Sequence, residues 1–386
     1  MERLVNVLVQ LIRYEIAMPG IDDSCLDSVS EELLIELFTM AKKHGLAALV
    51  GHALQEQHLL ERNQADALFS QEILNTIYHY EKKKYVYQIV CETLEKGQIS
   101  YIPLKGVRLW HYYPEPWMRT SCDIDILVRK EEIHVAENLL TSVLGFVKSS
   151  ESAYDTSLFS PDGIHIEFHH SLMEHGRARW SSQVLDQVWE YASPVRSGSY
   201  EYKMEDAMLY FYHIAHMAKH FESGGCGIKL FLDLWFMMEH INQRSRIDEF
   251  LKNSGLVAFE NAMCQLCQVW FSGKEHDRDT LKLEKFVLDS GAYGTREHLY
   301  LANQRKYRGK FRYLFSRIFL PYEKLKYRYP SVKRWPILTP IFAIFRLLQF
   351  LFGRKRTFMR EYLGVLKNDL VDKAESIDNI LDFVGL

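Results

Sequence analysis

Asp123 and Asp125 stand two apart in CDIDILV (122–128), a run that alternates acidic and apolar residues. Alternation predicts a strand with one polar face. Residues two apart point the same way, so both carboxylates converge on one point. A second run, IHIEFHH (164–170), puts His165, Glu167 and His169 on one face and Ile164, Ile166 and Phe168 on the other. If the two strands are neighbours, Glu167 joins the aspartates. Three crowded carboxylates repel one another unless a cation neutralises them. Mg²⁺ prefers such oxygen ligands and also binds phosphate oxygens. The bland alternative is a solvated acidic strand face, which a D-x-D taken by itself favours.

Residues upstream strengthen the chemical reading. YIPL (101–104) is short and apolar and runs into Lys105-Gly106; VRLWHYY then suits a short helix stopped by Pro114 and Pro116. A glycine there permits close backbone approach, and the N–H groups of a helix start favour phosphate. Lys105 and Gly106 are therefore candidate nucleotide contacts. Arg119 stands just before the acidic strand, suited to a phosphate or to a nearby acid. His169 shares a face with Glu167 and reads either as a group that positions acceptor or phosphate or as a structural histidine. His213, His216 and His220 fall at i, i+3 and i+7 on one helix face. With His169 or Cys226 they would make a zinc set. In the competing reading Lys219 or His220, with Asp233 further on, lines a cleft over a nucleotide.

These residues need elements to hold them. Residues 99–175 read as a compact α+β unit: strands at 101–104, 122–128 and 145–149, a helix at 130–143, and a hairpin at 157–170 turning on Pro161-Asp162-Gly163. Residues 1–98 look helical. Ser28 and Glu31 have capping-box spacing before LLIELFTMAKK, Gly45 closes that helix, and a long helix runs from about 64 to Glu95. Helix returns over 176–300 and continues in a basic, aromatic region, 301–386. The expected fold is α+β, a small mixed β-sheet embedded in largely helical N- and C-terminal regions.

Composition sets limits. The length of 386 residues predicts more than one packed unit, and 47% hydrophobic with 25% charged residues excludes a disordered or fibrous chain. The six cysteines are scattered, and only Cys264 and Cys267 have C-x-x-C spacing, which argues for a reduced, cytoplasmic chain. The start, MERLVNVLVQLIRYEIA, reads as an amphipathic helix rather than a signal peptide. No suitably placed G-x-x-x-x-G-K-[ST], G-x-G-x-x-G or G-x-S-x-G is present, which counts against a P-loop, a Rossmann site or an α/β-hydrolase.

The order strand–Gly–helix, D-x-D on the next strand and one acid on a later strand resembles the nucleotidyltransferases of the DNA polymerase β superfamily. Within it, LKGVRLWHYYPEPWMRTSCDIDILV (104–128), IHIEFHH (164–170), HIAHMAKHFESGGCGIKLFLDL (213–234) and LPYEKLKYRYP (320–330) resemble the uncharacterised bacterial nucleotidyltransferase family 5. The resemblance implies a metal-dependent enzyme that moves a nucleoside monophosphate from an NTP, such as ATP, to an unidentified acceptor hydroxyl. Asp123 and Asp125 match the paired ligands of two Mg²⁺ (or Mn²⁺) ions, Glu167 the third acid, and Gly106 the phosphate-loop glycine. Two departures stand out. Glu167-Phe168-His169 replaces the Asp-Leu-His common in related sequences, and Lys105-Gly106 replaces a Gly-Ser or Gly-Gly. They leave open an inactive nucleotide-binding or regulatory protein of the same fold. A protein-modifying enzyme of toxin–antitoxin type is a further alternative.

The net charge of −3 hides an asymmetry. Residues 301–360 carry 16 Lys/Arg against one acid, Glu323, with 14 aromatics; the rest of the chain is −18. The segment PILTPIFAIFRLLQFLFG (336–353) is the most apolar stretch, but Arg346 interrupts it. Three readings stand: a helical cap with solvated charges, a peripheral anionic membrane surface with Trp335, Phe342, Phe345, Phe350 and Phe352 beside Arg346 and Arg354-Lys355-Arg356, or a site for a polyanion such as nucleic acid.

Overall fold

A computed structural model describes residues 2–18, 26, 29–60, 64–292, 294–295, 298–299, 301, 312, 315–316, 318–352 and 371–386. The chain opens with α1 (Glu2–Glu15), α2 (Glu31–Lys43), α3 (Ala47–Glu56) and the 33-residue α4 (Gln64–Lys96). Ser30 caps α2, its hydroxyl accepting the Leu33 N–H at 3.3 Å; Ser28 lies outside the described residues. Gly45, at φ 72, takes the left-handed conformation that ends α2.

The motif-bearing strands form one mixed sheet. Its strands are β1 (Tyr101–Pro103), β2 (Asp123–Val128), β3 (Val147–Glu151), β4 (Asp155–Phe159) and β5 (His165–His169), in the order β1-β2-β5-β4-β3. β2 and β5 are adjacent and parallel; the other pairs are antiparallel. α5 (Lys105–Leu109) follows β1, and α6 (Ile133–Val143) follows β2. The period-2 pattern sorts the two faces. Ile124, Ile126, Val128, Ile166 and Phe168 pack with Val86, Val90 and Leu94 of α4 and with Ile133, Ala136 and Leu140 of α6. Asp123, Asp125 and Leu127 therefore point the other way, and Leu127 joins the larger helical core.

That larger core unites α1–α3 with α7 (Ser181–Leu185), α8 (Asp206–Phe221), α9 (Ile228–His240), α10 (Arg244–Ser254), α11 (Val257–Ser272) and α12 (Arg278–Ser290). The C-terminal helix Val371–Phe383 adds Ile377, Ile380 and Leu381 to it. A two-stranded sheet, β6 (Ala192–Pro194) with β7 (Tyr202–Met204), interrupts the helices expected after residue 176. Its strands are three residues long and hold few apolar side chains, too short for a period to show. Next to it the Tyr101 N–H donates to the Tyr200 carbonyl at 2.9 Å, extending the edge of β1.

The sheet and the helical body are joined at a buried polar node. Arg119, in the loop before β2, donates through Nε (3.1 Å) and Nη2 (2.7 Å) to the two carboxylate oxygens of Asp233 on α9, and the Tyr113 hydroxyl donates to the same group at 2.8 Å. Burial works against the charge on Asp233, but Arg119 holds its carboxyl below the ordinary range. Removing one partner of such a pair leaves an unpaired buried charge. Asp233→Ala is expected to cost about 3–5 kcal/mol in urea denaturation. The double variant Arg119→Met/Asp233→Leu is expected to recover part of that. A loss of less than about 1 kcal/mol would mean that the pair behaves as a solvated one.

Candidate active site

β2 and β5 bring the expected acids together. Asp125 lies opposite Glu167, and Asp123 opposite His165. Asp125 is 3% exposed. Its Oδ1 accepts from Lys105 Nζ at 2.7 Å and lies 2.8 Å from His169 Nε2. His169 Nε2 is also 3.4 Å from Glu167 Oε2, and His165 Nε2 lies 3.8 Å from Glu167 Oε1. Two donor sets result, Asp123/His165/Glu167 and Asp125/Glu167/His169, each with its ligand atoms within 4.8 Å of one another.

The charges are mutually adjusted. Burial alone would raise the Asp125 carboxyl, but the Lys105 ammonium and His169 hold it well below the usual carboxylate range. Burial and then the Asp125 charge push Asp123 up. The hydrogen bond from His169 lowers Glu167. Burial opposes protonation of His169, yet its bonds to Asp125 and Glu167 raise it above an ordinary histidine. The acids are thus compensated by groups from two elements, Lys105 of α5 and His169 of β5. That separates them from a solvated strand face.

The turn from β1 into α5 places the first of those groups. Lys105 has φ 41, in the left-handed region that favours glycine. Gly106 does not need that freedom. A Cβ there would lie 2.9 Å from Arg119 Nη1 and 3.1 Å from Ser121 Oγ, so the missing side chain makes room for the loop before β2. Two more buried cations brace that loop. Lys83 of α4 donates to the Ser121 carbonyl and, at 2.9 Å, to its hydroxyl; Lys229 of α9 donates to the Thr120 carbonyl at 2.9 Å. Burial, then the nearby Arg119 charge, lowers each lysine to about 8.

The acids sit between two cavities. One, of about 410 Å³, is lined by Gly106, Arg119, Asp123, Lys219, His220 and Lys229. The other, of about 780 Å³, is lined by Ser152, Tyr154, His169, Tyr212, Lys324 and Tyr327 among others. Lys105, His216 and Lys219 line both. All nine candidate positions thus fall in one region. Lys105, Gly106, Arg119, Asp123, Asp125, Lys219 and His220 border the smaller cavity, and His169 borders the larger one. Glu167 bridges the donor sets.

The face of α8 differs from the expected one. His213 is buried, its Nε2 2.9 Å from the Leu230 carbonyl. Tyr212, His216 and Lys219 face the site, at spacings of four and three, and His220 borders the smaller cavity beside them. His216 and His220 lie Nε2 to Nε2 at 3.2 Å, and burial followed by the Lys105 charge lowers His220 to about 4. Among the described residues these histidines join no metal-holding cluster. The sequence reading gives Tyr212 and Lys229 no role, names His165 only for its strand face and names His216 only in the zinc alternative. His165 carries a signal, the shared strand face. The other three lie on helices buried nearly all round, so periodicity does not mark which face meets the sheet.

Lys229 predicts a pH dependence. A polyanion beside it favours the charged ammonium, so binding takes up a proton wherever free Lys229 is neutral. Affinity for tripolyphosphate is expected to be greatest below pH 8, because Lys229 titrates at about 8. Above that it should fall by up to about tenfold per pH unit, as one linked proton requires. Titration calorimetry from pH 7 to 9.5 checks this, and Lys229→Met should flatten the profile. A flat profile in the unmodified protein would place the anion elsewhere.

No curated protein and no solved structure matches the chain. The model of a family described as uncharacterised nucleotidyltransferases matches residues 32–272, a span that contains both acidic strands, the Lys105-Gly106 turn and helices α8 and α9. With more than half of its length in that match, the chain belongs to the uncharacterised nucleotidyltransferase family.

Proposed function

We propose that the protein transfers a nucleoside monophosphate from an NTP to an acceptor hydroxyl, with loss of pyrophosphate, and that the reaction depends on divalent metal. The observation that carries this reading is the cluster of Asp123, Asp125 and Glu167 beside a lysine-lined cavity at the start of α5. The donor set fits a divalent cation: carboxylates suit Mg²⁺, and the added His165 and His169 nitrogens suit Mn²⁺ better. When bound, such ions neutralise phosphate charge and lower the pKa of an attacking hydroxyl.

The chain's own groups would do the positioning. Lys219 and Lys229 present positive charge to the phosphates in the smaller cavity. Arg119, tied to Asp233, lies against Gly106, so it would shape the phosphate site while spending its own charge elsewhere. His169 reaches from Asp125 to the larger cavity, the side on which an acceptor fits. Catalysis of this kind rests on orientation and charge stabilisation. One contact favours a second reading. Lys105 already neutralises Asp125, as a metal would, which suits a protein that binds a nucleotide without turning it over.

The acids separate these readings. Asp125→Asn is expected to lose both Mg²⁺-dependent NTP binding and transfer. Glu167→Gln is expected to keep most of the binding and to lose transfer by at least about a hundredfold. Calorimetric NTP titration measures the first, and single-turnover transfer of labelled nucleotide to cell extract the second. Wild-type binding in both variants would remove the acids from the site. Binding without transfer in any metal would select the non-catalytic reading.

A further inference from the structure

The basic region contains a helix whose polarity is reversed. Helix Thr339–Phe352 turns its one charged residue inward: Arg346 is 3% exposed, and its Nε donates to the Ile318 carbonyl at 3.0 Å. Its apolar residues face outward. Ile341 and Ile344 are 60% and 59% exposed, and Phe345 and Leu348 are also exposed, at spacings of three and four along one side. Ile337, at 82%, and Trp335, at 58%, extend the ridge over the preceding turn. A soluble helix does the opposite, burying its apolar stripe and solvating its charges.

We propose that this ridge, Trp335 and Ile337 with the outer face of helix Thr339–Phe352, docks in the interface of an anionic lipid bilayer. Charge selects that occupant. The ridge lies inside the segment 301–360 with its 16 Lys/Arg and one acid, and exposed Lys333 and Arg334 directly precede Trp335. Arg354, Lys355 and Arg356 follow it in sequence and lie outside the described residues. Cations beside an apolar ridge match anionic headgroups over hydrocarbon. A second copy would bring two such basic segments together and repel. A nucleic acid would use the cations and the rings of Trp335 and Phe345, but it would leave the aliphatic Ile337, Ile341, Ile344 and Leu348 between them in water. Phe342 is engaged elsewhere, its ring 4.7 Å from Tyr329. Fourteen residues of helix extend only about 21 Å, short of a hydrocarbon core of about 30 Å, so the geometry is that of lying in the interface. Among the described residues no helix is long and apolar enough to cross a membrane.

Flotation of the full chain with vesicles tests this. Binding is expected with phosphatidylglycerol in phosphatidylcholine and not with phosphatidylcholine alone, and it should weaken with added salt. Ile341→Asp/Ile344→Asp is expected to lower partitioning by about tenfold or more while leaving the circular dichroism and melting temperature unchanged, since both side chains are exposed in the free protein. Lys333→Glu/Arg334→Glu should lower it as well. Tryptophan emission should shift to the blue on vesicle binding, and Trp335→Phe should remove most of that shift. Flotation that ignores the isoleucine pair, or its absence at low salt, overturns the proposal. So does RNA binding that survives the isoleucine substitutions without any vesicle binding. A dimer in light scattering that the isoleucine substitutions split would assign the ridge to a second copy and overturn it too.

Discussion

Crowding of three carboxylates on one sheet face is the constraint that organises this molecule. Parallel pairing of β2 and β5 sets Asp125 against Glu167, with Asp123 one step along the same face. Such a group cannot be buried as it stands, because like charges at this spacing raise one another's pKa and favour neutral forms. The protein supplies countercharge from the β1–α5 turn, through Lys105, and from the end of β5 itself, through His169, and both contact the same oxygen of Asp125. The left-handed backbone at Lys105, a conformation that costs a side-chain-bearing residue about 1 kcal/mol or more, is offset by the ion pair it permits.

That arrangement explains why so small a sheet is wrapped in so many helices. Its apolar face needs one layer, which α4 and α6 provide. Its charged face needs walls that exclude water without themselves adding negative charge. α8 and α9 meet this need by facing the acids with Tyr212, His216, Lys219 and Lys229 over apolar interiors. The cost is a concentration of positive charge around the loop 119–122. Arg119 is relieved by Asp233, whereas Lys83 and Lys229 find backbone carbonyls and are held to about 8. Buried cations whose pKa values are lowered in this way occur at functional sites as well as in structural networks.

The strands and their polar face were legible because strand period and acid spacing coincide: CDIDILV and IHIEFHH each declare one apolar and one polar face, whereas their parallel pairing is set by the tertiary fold and has no local signal. The hairpin on Pro161-Asp162-Gly163 and the break at Pro114 and Pro116 were legible for reasons of backbone chemistry. The face of α8 was legible only in part: Lys219 and His220 border the cavity as expected, but the stripe of three histidines does not hold. In HIAHMAKH the histidine spacing suggests one stripe, but the helix is buried nearly all round, so its polar face is chosen by the sheet it meets and His213 turns to a carbonyl instead. Arg119 was legible as a cation near the acids, but its pairing with Asp233 joins positions more than a hundred residues apart, and no local pattern encodes that.

Lys105 is where these arguments meet. It borders both cavities and neutralises the acid that lies between them. In the ligand-free molecule its ammonium provides Asp125 with a counter-ion, so the acid stays ionised although it is buried. A cation brought in by a nucleotide would compete with that ammonium for the same carboxylate. The triphosphate arriving with it would in turn give Lys105 a new anionic partner. The charge on either side of the exchange stays balanced, and neither the metal nor the phosphates alone achieves this: a metal without phosphates adds positive charge beside an ammonium, and phosphates without a metal add negative charge beside three acids. If the protein binds both, charge balance at one buried carboxylate would couple the two ligands through a single side chain. It also explains why a lysine can stand at the turn where a glycine would fit the backbone better.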